Sequence, residues 1–173
     1  MKYDYSTLYE KNRKFYQARP LAKRVLRLAS PFLTAFFGIA YAVLFITAVF
    51  VNKSPDVHEL IQILGVPAFC FVLCTIVREL IDRKRPYDAD GANIKPIVKK
   101  KREDVKSFPS RHVALAVAIS ILFFSFIPAV GAVLCVFALL LAYVRFAIGL
   151  HYPSDLAAGI LIGVFCAALG LLI

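Results

Sequence analysis

The sequence is poor in acidic residues, histidines and cysteines, and it has no sign of a cleavable leader. Its 173 residues include 11 Asp and Glu, three His and four Cys. All four cysteines lie in apolar stretches, where a thiol behaves as a small hydrophobic group, so no disulfide framework is expected. Cys70 and Cys74 have no histidine or carboxylate beside them and do not predict a metal site. No small-residue cleavage site follows the first apolar run, which argues against a signal peptide.

Long stretches of the chain also lack charge. With 60% hydrophobic residues and a mean hydropathy of +0.72, the chain is too apolar for an ordinary soluble domain. The clearest uncharged run is long enough, at about 1.5 Å per residue, to cross the roughly 30 Å apolar layer of a bilayer. We therefore predict an all-α, polytopic membrane helix bundle of about five transmembrane helices, at Pro31–Val51, Leu60–Val77, Val113–Ile127, Val130–Val144 and Leu156–Ile173.

The positive charge is concentrated at one side of the predicted bundle. The net charge is +10, and residues 1–30 carry eight Lys or Arg against two acids, while residues 78–112 carry eleven against six. Because the first two spans form a hairpin, both basic segments lie on the same side, and the positive-inside rule predicts that this side is cytoplasmic. Basic clusters beside apolar spans favour membrane lipid over nucleic acid as a partner.

Two polar segments flank the spans. Residues 1–30 interleave apolar and basic side chains, which favours a basic interfacial segment interrupted at Pro20, with a flexible tail as the alternative. The remaining residues, 31–173, form the predicted transmembrane domain. Residues 87–107 have the composition of a polar connection, with a lid over the site as the alternative.

The first cluster of candidate functional residues is "RELIDRKRP" at 78–86. Arg78 and Arg85 are seven residues apart, which on a continuing helix puts them on nearly the same face, about 10 Å apart along the axis. Pro86 is expected to end that helix. Two guanidinium groups suit bidentate recognition of phosphate oxygens. Snorkelling arginines that mark the end of a span are the alternative.

The second cluster is "PSRH" at 109–112. Ser110 is a candidate N-cap, and the free N–H groups and dipole of a helix start favour a bound anion. His112, in the first turn, is placed to give a proton to a departing alkoxide. The next hairpin is expected to turn near Ala129, which returns His112 and Arg145 to nearly the same depth.

The third cluster is "RFAIGLHYPSD" at 145–155. It sets Arg145, His151 and Asp155 at the junction of two apolar helices, with Gly149 and Pro153 shaping the turn. Asp155 follows His151 by four residues and is expected to accept its N–H, which leaves the other ring nitrogen free to attack phosphorus. A satisfied structural histidine is the alternative.

Together the three clusters resemble the tripartite signature of the type 2 phosphatidic acid phosphatase family, membrane lipid phosphate phosphatases that share a site with vanadium haloperoxidases. The clusters occur in the family's order and span 78 residues. The resemblance implies that Arg78, Arg85 and Arg145 bind the phosphate and that the region of Ser110 adds hydrogen bonds. Arg111 is a further candidate donor at a position where the family has another residue.

The resemblance also implies the catalytic roles. His151 is expected to be the nucleophile that forms a phosphohistidine, Asp155 its orienting partner and His112 the general acid. No metal or other cofactor is implied. Three positions differ from the family pattern: Arg78 replaces a Lys, Arg111 replaces a Gly and Val144 replaces a Ser.

We expect an enzyme that hydrolyses a lipid phosphomonoester or diphosphate in a bacterial plasma membrane. Candidate substrates are a polyprenyl diphosphate such as undecaprenyl diphosphate, phosphatidic acid and phosphatidylglycerophosphate. A lipid phosphate transferase and a non-catalytic protein that binds anionic lipid are the alternatives. The sequence assigns neither a single substrate nor an oligomeric state.

Overall fold

The computed structural model describes residues 5–51, 56–88, 96–97 and 106–172. Its secondary structure is helical, and within these ranges the only strand-like pairing is an isolated antiparallel bridge between Lys84 and Lys106. The predicted all-α fold class is confirmed. The helices are α1 (Tyr5–Gln17), α2 (Pro20–Ile46, continued by a π-helical turn at Thr47–Val51), α3 (Val57–Ile81), α4 (Arg111–Phe126), α5 (Pro128–Ala147) and α6 (Pro153–Leu171).

Each of the five predicted apolar spans corresponds to a helix. By length and composition, α2, α3, α5 and α6 are able to cross a membrane, whereas α4 is an apolar helix of 16 residues. Helix α4 contacts all four of the longer helices, and most side chains between residues 113 and 123 are buried. The shortest apolar helix is therefore the central one, surrounded by protein.

The N-terminal residues form two helices separated by a short break. Helix α1 ends at Gln17, and α2 begins at Pro20, where the missing N–H of proline removes no helical hydrogen bond. Helix α2 then continues without interruption through residue 30. The location of residues 1–30 at the membrane surface, as a segment distinct from 31–173, stays a prediction.

Helix α3 ends earlier than the sequence predicts. Asp82 adopts a left-handed conformation with φ of 42°, and its N–H donates to the carbonyl of Arg78 at 3.2 Å. This is a common way to close a helix. The expectation that the helix runs on to Pro86 and carries Arg85 is therefore wrong, and only Arg78 lies on α3.

The residues after α3 pair with the segment that precedes α4. Ser107 donates its N–H to the carbonyl of Arg83 at 2.7 Å and its hydroxyl to the carbonyl of Lys84 at 3.2 Å. This pairing satisfies backbone groups that left the helix. Most of the predicted loop or lid at 87–107 lies outside the described residues.

Helices α4 and α5 form a tight hairpin. Ile127 separates them, and Pro128 opens α5, so the turn lies two residues before the predicted Ala129. A Cβ atom added to Gly131 would overlap the backbone of Phe124. The two helices therefore approach closely at this end, which fixes the relative depth of their other ends.

The close approach at Gly131 predicts that Gly131→Ala destabilises the protein by about 1–3 kcal/mol, because the added methyl overlaps backbone that cannot rotate away. Gly65→Ala is the matched control, since a Cβ at Gly65 meets no atom within 4 Å. Thermal unfolding in detergent measures both. An unchanged melting temperature in Gly131→Ala would contradict the close approach of α4 and α5 at this position.

Candidate active site

The three sequence clusters meet at one end of the bundle. Arg78, Arg85 and Arg145 are buried there, with exposed fractions of 5%, 1% and 4%. Arg78 donates from Nη2 to the carbonyl of Pro109 at 3.1 Å, and Arg85 donates from Nη1 to the carbonyl of Leu150 at 3.5 Å. The first cluster thus contacts both the second and the third.

Ser110 lies at the N-cap position of α4 and is fully buried. Its N–H donates to the backbone carbonyl of Asp155 at 3.1 Å, while its hydroxyl makes no hydrogen bond with any described residue. A Cβ at Gly159 would stand 2.8 Å from the Ser110 carbonyl oxygen, so α6 packs directly on this backbone. The helix start is held in place, and a hydroxyl donor remains available within it.

Arg111 and His112 follow in the first turn of α4, and both are half-buried. The Arg111 guanidinium lies 5.4 Å from the centre of the Phe71 ring. His112 instead lines two neighbouring cavities. The sequence predicts both residues at this helix start. It does not predict that Arg111 lies against an aromatic ring while His112 lines the cavities.

His151 is 1% exposed. Its Nδ1 atom is 2.9 Å from the carbonyl oxygen of Ser107 and 3.5 Å from Oδ2 of Asp155. Because a carbonyl oxygen only accepts, Nδ1 carries the hydrogen in this contact and Nε2 keeps its lone pair. The expected tautomer is favoured, but the shorter acceptor is the Ser107 carbonyl, which sequence analysis missed.

Asp155 is fully buried and caps the start of α6. Its Oδ2 accepts the N–H of Tyr152 at 2.8 Å, and its Oδ1 accepts from Nη1 of Arg83 at 2.9 Å. A carboxylate is favoured there by the positive end of the helix dipole. Arg83 was not among the predicted site residues, and its only sequence signal is its place in the basic run before Arg85.

Arg145 connects the site to α2, because its Nη2 donates to Oγ1 of Thr34 at 3.1 Å. A cavity of 640 Å³ opens at this contact. Its lining includes polar or charged side chains from α2, α4 and α5: Arg27, Ser30, Thr34, His112 and Arg145. Sequence analysis assigned no site residue to α2.

A second cavity of 610 Å³ adjoins the first and shares Thr34 and His112 with it. Most of its other lining residues are apolar and come from α2, α3 and α4, including Phe37, Leu64, Phe71 and Ile119. His112 therefore stands between a chamber with two arginines and a chamber that suits a hydrocarbon chain.

Helix α1 supports the turn that carries His151. The Tyr9 side chain is fully buried and donates to the carbonyl of Ile148 at 3.2 Å, and Asn12 donates to the carbonyl of Ala147 at 3.0 Å. Gly149 has φ of 85°, and a Cβ there would stand 2.5 Å from the Tyr9 hydroxyl. Only glycine readily adopts this positive φ and leaves room for the Tyr9 hydroxyl.

The surroundings of His151 disfavour its protonated form. Burial lowers the pKa of its imidazole from 6.5 to about 4, the contact with Asp155 opposes this shift, and the positive charges of Arg85 and Arg145 add to it. The ring is therefore neutral near neutral pH. A neutral imidazole whose Nε2 carries a lone pair is the form that acts as a nucleophile.

The comparisons with known proteins identify the family. The PAP2 superfamily matches residues 59–173, and the chain belongs to that superfamily. The matched region contains all three sequence clusters, whereas α1 and α2 precede it. The resemblance to type 2 phosphatidic acid phosphatases is confirmed.

One relative and two solved structures are similar to this chain. The bacitracin transport permease protein BcrC of Bacillus licheniformis is 34% identical over 112 residues, which cover 64% of this chain and 54% of that protein, so the chain spans about half the relative's length. A PAP2-type phosphatidylglycerolphosphate phosphatase from Bacillus subtilis shares the fold, with a TM-score of 0.64 and 22% identity over 95% of this chain and 85% of that one. LpxE from Aquifex aeolicus also shares the fold, with a TM-score of 0.59 and 22% identity over 87% of this chain and 94% of that one.

The depressed pKa of His151 predicts a pH-dependent stability. The ring binds a proton more readily when unfolded, so stability is present above pH 6.5 and is lost as the pH falls towards 4. At about 1.4 kcal/mol per pKa unit the loss is about 3 kcal/mol. His151→Asn has no titrating ring, and its melting temperature should fall less over this range. If the melting temperatures of the two proteins fell equally between pH 6.5 and 4, the result would contradict a buried, neutral His151 ring.

Proposed function

We propose that this protein is an integral membrane lipid phosphatase that releases phosphate through a phosphohistidine on His151, without a metal ion. The observation that carries the proposal is the meeting of three buried arginines with a neutral, oriented imidazole in a chain of the PAP2 superfamily. The multi-pass helical fold supports a substrate that stays in the bilayer. The cytoplasmic side of the membrane stays a prediction from the charge distribution.

The arginine cluster suits the phosphoryl group. Phosphoryl transfer spreads charge over three equatorial oxygens, and arginine donors stabilise that charge when they are positioned in advance. Arg78, Arg85 and Arg145 are each fixed by a hydrogen bond to a backbone carbonyl or a hydroxyl. The Ser110 hydroxyl and the first N–H groups of α4 are further donors for the anion.

The reaction then proceeds in two steps. Nε2 of His151 forms a bond to phosphorus, the bond from phosphorus to the lipid oxygen breaks, and His112 gives that oxygen a proton. A water molecule next attacks the phosphohistidine, His112 takes a proton from it, and inorganic phosphate leaves with Nε2 regenerated. The hydrogen bond from Nδ1 to the Ser107 carbonyl holds the ring in position in both steps.

The two adjoining cavities suit a lipid phosphate. The headgroup enters through the chamber with Arg27 and Arg145, whose lining includes Leu150, the residue before His151. The hydrocarbon tail lies in the apolar chamber between α2, α3 and α4. His112, which lines both, stands where the headgroup joins the tail. Undecaprenyl diphosphate, phosphatidic acid and phosphatidylglycerophosphate all have this form, so all three are candidates.

The direct test is phosphate release by the purified protein in detergent with a chelator, across a panel of lipid phosphates. His151→Ala is expected to lower the rate by about 10³-fold or more. His58→Ala is the matched control, because His58 is exposed at the opposite end of α3 and should leave the rate unchanged.

Three results of that assay would contradict the proposal. Activity that survives in His151→Ala would exclude the phosphohistidine. A wild-type protein that is inert towards the whole panel would favour a lipid-binding role. Release that requires an added acceptor other than water would favour a transferase.

The α2 side of the headgroup chamber gives a second prediction. Arg27→Ala is expected to raise the KM for lipid phosphates by about tenfold, because it removes a charge-assisted hydrogen bond to the headgroup. Arg24→Ala is the matched control, since Arg24 lies on the same helix, is exposed and does not line the cavity. Equal effects of the two variants on KM would show that Arg27 contributes only general positive charge.

A further inference from the structure

We propose that Arg83 is a positioning residue of the active site, which sets the orientation of His151 and Asp155. It contacts both residues whose oxygen atoms face Nδ1 of His151, namely Ser107 and Asp155. The inference rests on the proposed function and deepens it. Arg83 lies outside the positions that the family signature assigns to phosphate binding, and its side chain contacts residues at the start of α6.

The side chain of Arg83 contacts three residues at the start of α6. Its Nη1 is 2.7 Å from Oγ of Ser154 and 2.9 Å from Oδ1 of Asp155, and its guanidinium lies 4.0 Å from the centre of the Tyr152 ring. One planar group thus joins the chain after α3 to the first turn of α6. The Asp155 carboxylate is fully buried, whereas Arg83 is 36% exposed.

The backbone of Arg83 reaches the other acceptor. Its carbonyl accepts the N–H of Ser107 at 2.7 Å, and the carbonyl of Ser107 is the atom 2.9 Å from Nδ1 of His151. Arg83 therefore holds Ser107 through its backbone and Asp155 through its side chain. Arg83 thus contacts both residues whose oxygen atoms face Nδ1 of His151.

Arg83 also offsets the negative charge of Asp155. Oδ1 of Asp155 bonds to Arg83, while Oδ2 accepts the Tyr152 N–H at 2.8 Å and lies 3.5 Å from Nδ1 of His151. The positive charge of Arg83 offsets the negative charge of this carboxylate, so the carboxylate stabilises a protonated His151 less strongly. Besides Asp155, the charges that act on the imidazole are those of Arg85, after α3, and Arg145, on α5, and both favour its neutral form. Other charged or titratable groups on the neighbouring segments include Arg78, Glu79, Asp82, Lys84, Lys106, Arg111 and His112.

Removal of the Arg83 charge is therefore expected to shift the pKa of His151 in one direction. Asp155 then favours the imidazolium more strongly, and the pKa of His151 rises. Because the protonated ring is no nucleophile, the acid limb of the pH–rate profile moves to higher pH. A merely structural ion pair would lower stability or the amount of folded protein without moving that limb.

The experiment compares Arg83→Gln, Arg83→Lys and Lys106→Ala in the phosphate-release assay. For Arg83→Gln we expect a kcat lowered by about 10- to 100-fold with little change in KM, and an acid limb about one pH unit higher. Arg83→Lys should return the limb towards the wild-type position, because it restores the charge, while kcat recovers only in part because the planar fork is lost.

Lys106→Ala is the matched control. Lys106 forms ion pairs with Glu79 at 2.6 Å and Asp82 at 3.3 Å, near the same segment but with exposed partners, and such surface pairs contribute little. Its kcat and pH profile should equal those of the wild type. A wild-type acid limb in Arg83→Gln, or an equal shift in Lys106→Ala, would overturn the proposal.

A second measurement keeps the inference separate from the proposed function. In Arg83→Gln the pKa of His151 lies closer to 6.5, so the loss of thermal stability between pH 6.5 and 4 should be smaller than in the wild type. This readout needs no substrate. If the wild type proves inert but the stability difference appears, the positioning role stands and the phosphatase proposal fails. Identical pH dependence in the two proteins would overturn the positioning role itself.

Discussion

The hydrogen bond between Nδ1 of His151 and the carbonyl of Ser107 is the interaction on which the site depends. It joins the turn between α5 and α6 to the segment before α4, and that segment is paired in turn with the residues after α3. Because the imidazole is buried, the contact selects one tautomer and one ring orientation. Helix α1 supports the same turn from the other side through Tyr9. The rest of the bundle serves to bring these four segments to one place.

Much of the fold follows from the distribution of charge and proline along the sequence. Apolar runs bounded by charged residues mark the helices, and helix starts at Pro20, Pro128 and Pro153 agree with the preference of proline for a first turn. Consecutive hairpins bring alternate helix ends to the same side, which explains why three clusters far apart in sequence meet. The end of α3 differs from the prediction because it depends on the left-handed conformation of Asp82, which no residue pattern requires.

The parts of the site that sequence analysis missed are contacts between distant segments. Ser107 reaches His151 across 44 residues, Arg83 reaches Asp155 across 72, and Thr34 reaches Arg145 across 111. None of these follows from helical periodicity, since each depends on how two elements are rotated and offset against each other. The residues with predicted roles lie near helix ends, and the hairpin topology brings those ends to the same side of the bundle. The residues that hold those groups in place become visible only once the helices are packed.

The most direct test of the central claim is the chemical identity of the phosphorylated group. Brief reaction of the protein with a lipid phosphate, followed by an alkaline quench, should preserve a phosphoramidate that mass spectrometry assigns to His151. Because Nδ1 is held by the Ser107 carbonyl, the account predicts that NMR of the trapped protein finds the phosphoryl group on Nε2. A phosphoryl group on Nδ1 or on another residue, or phosphate release with no phosphohistidine, would contradict it.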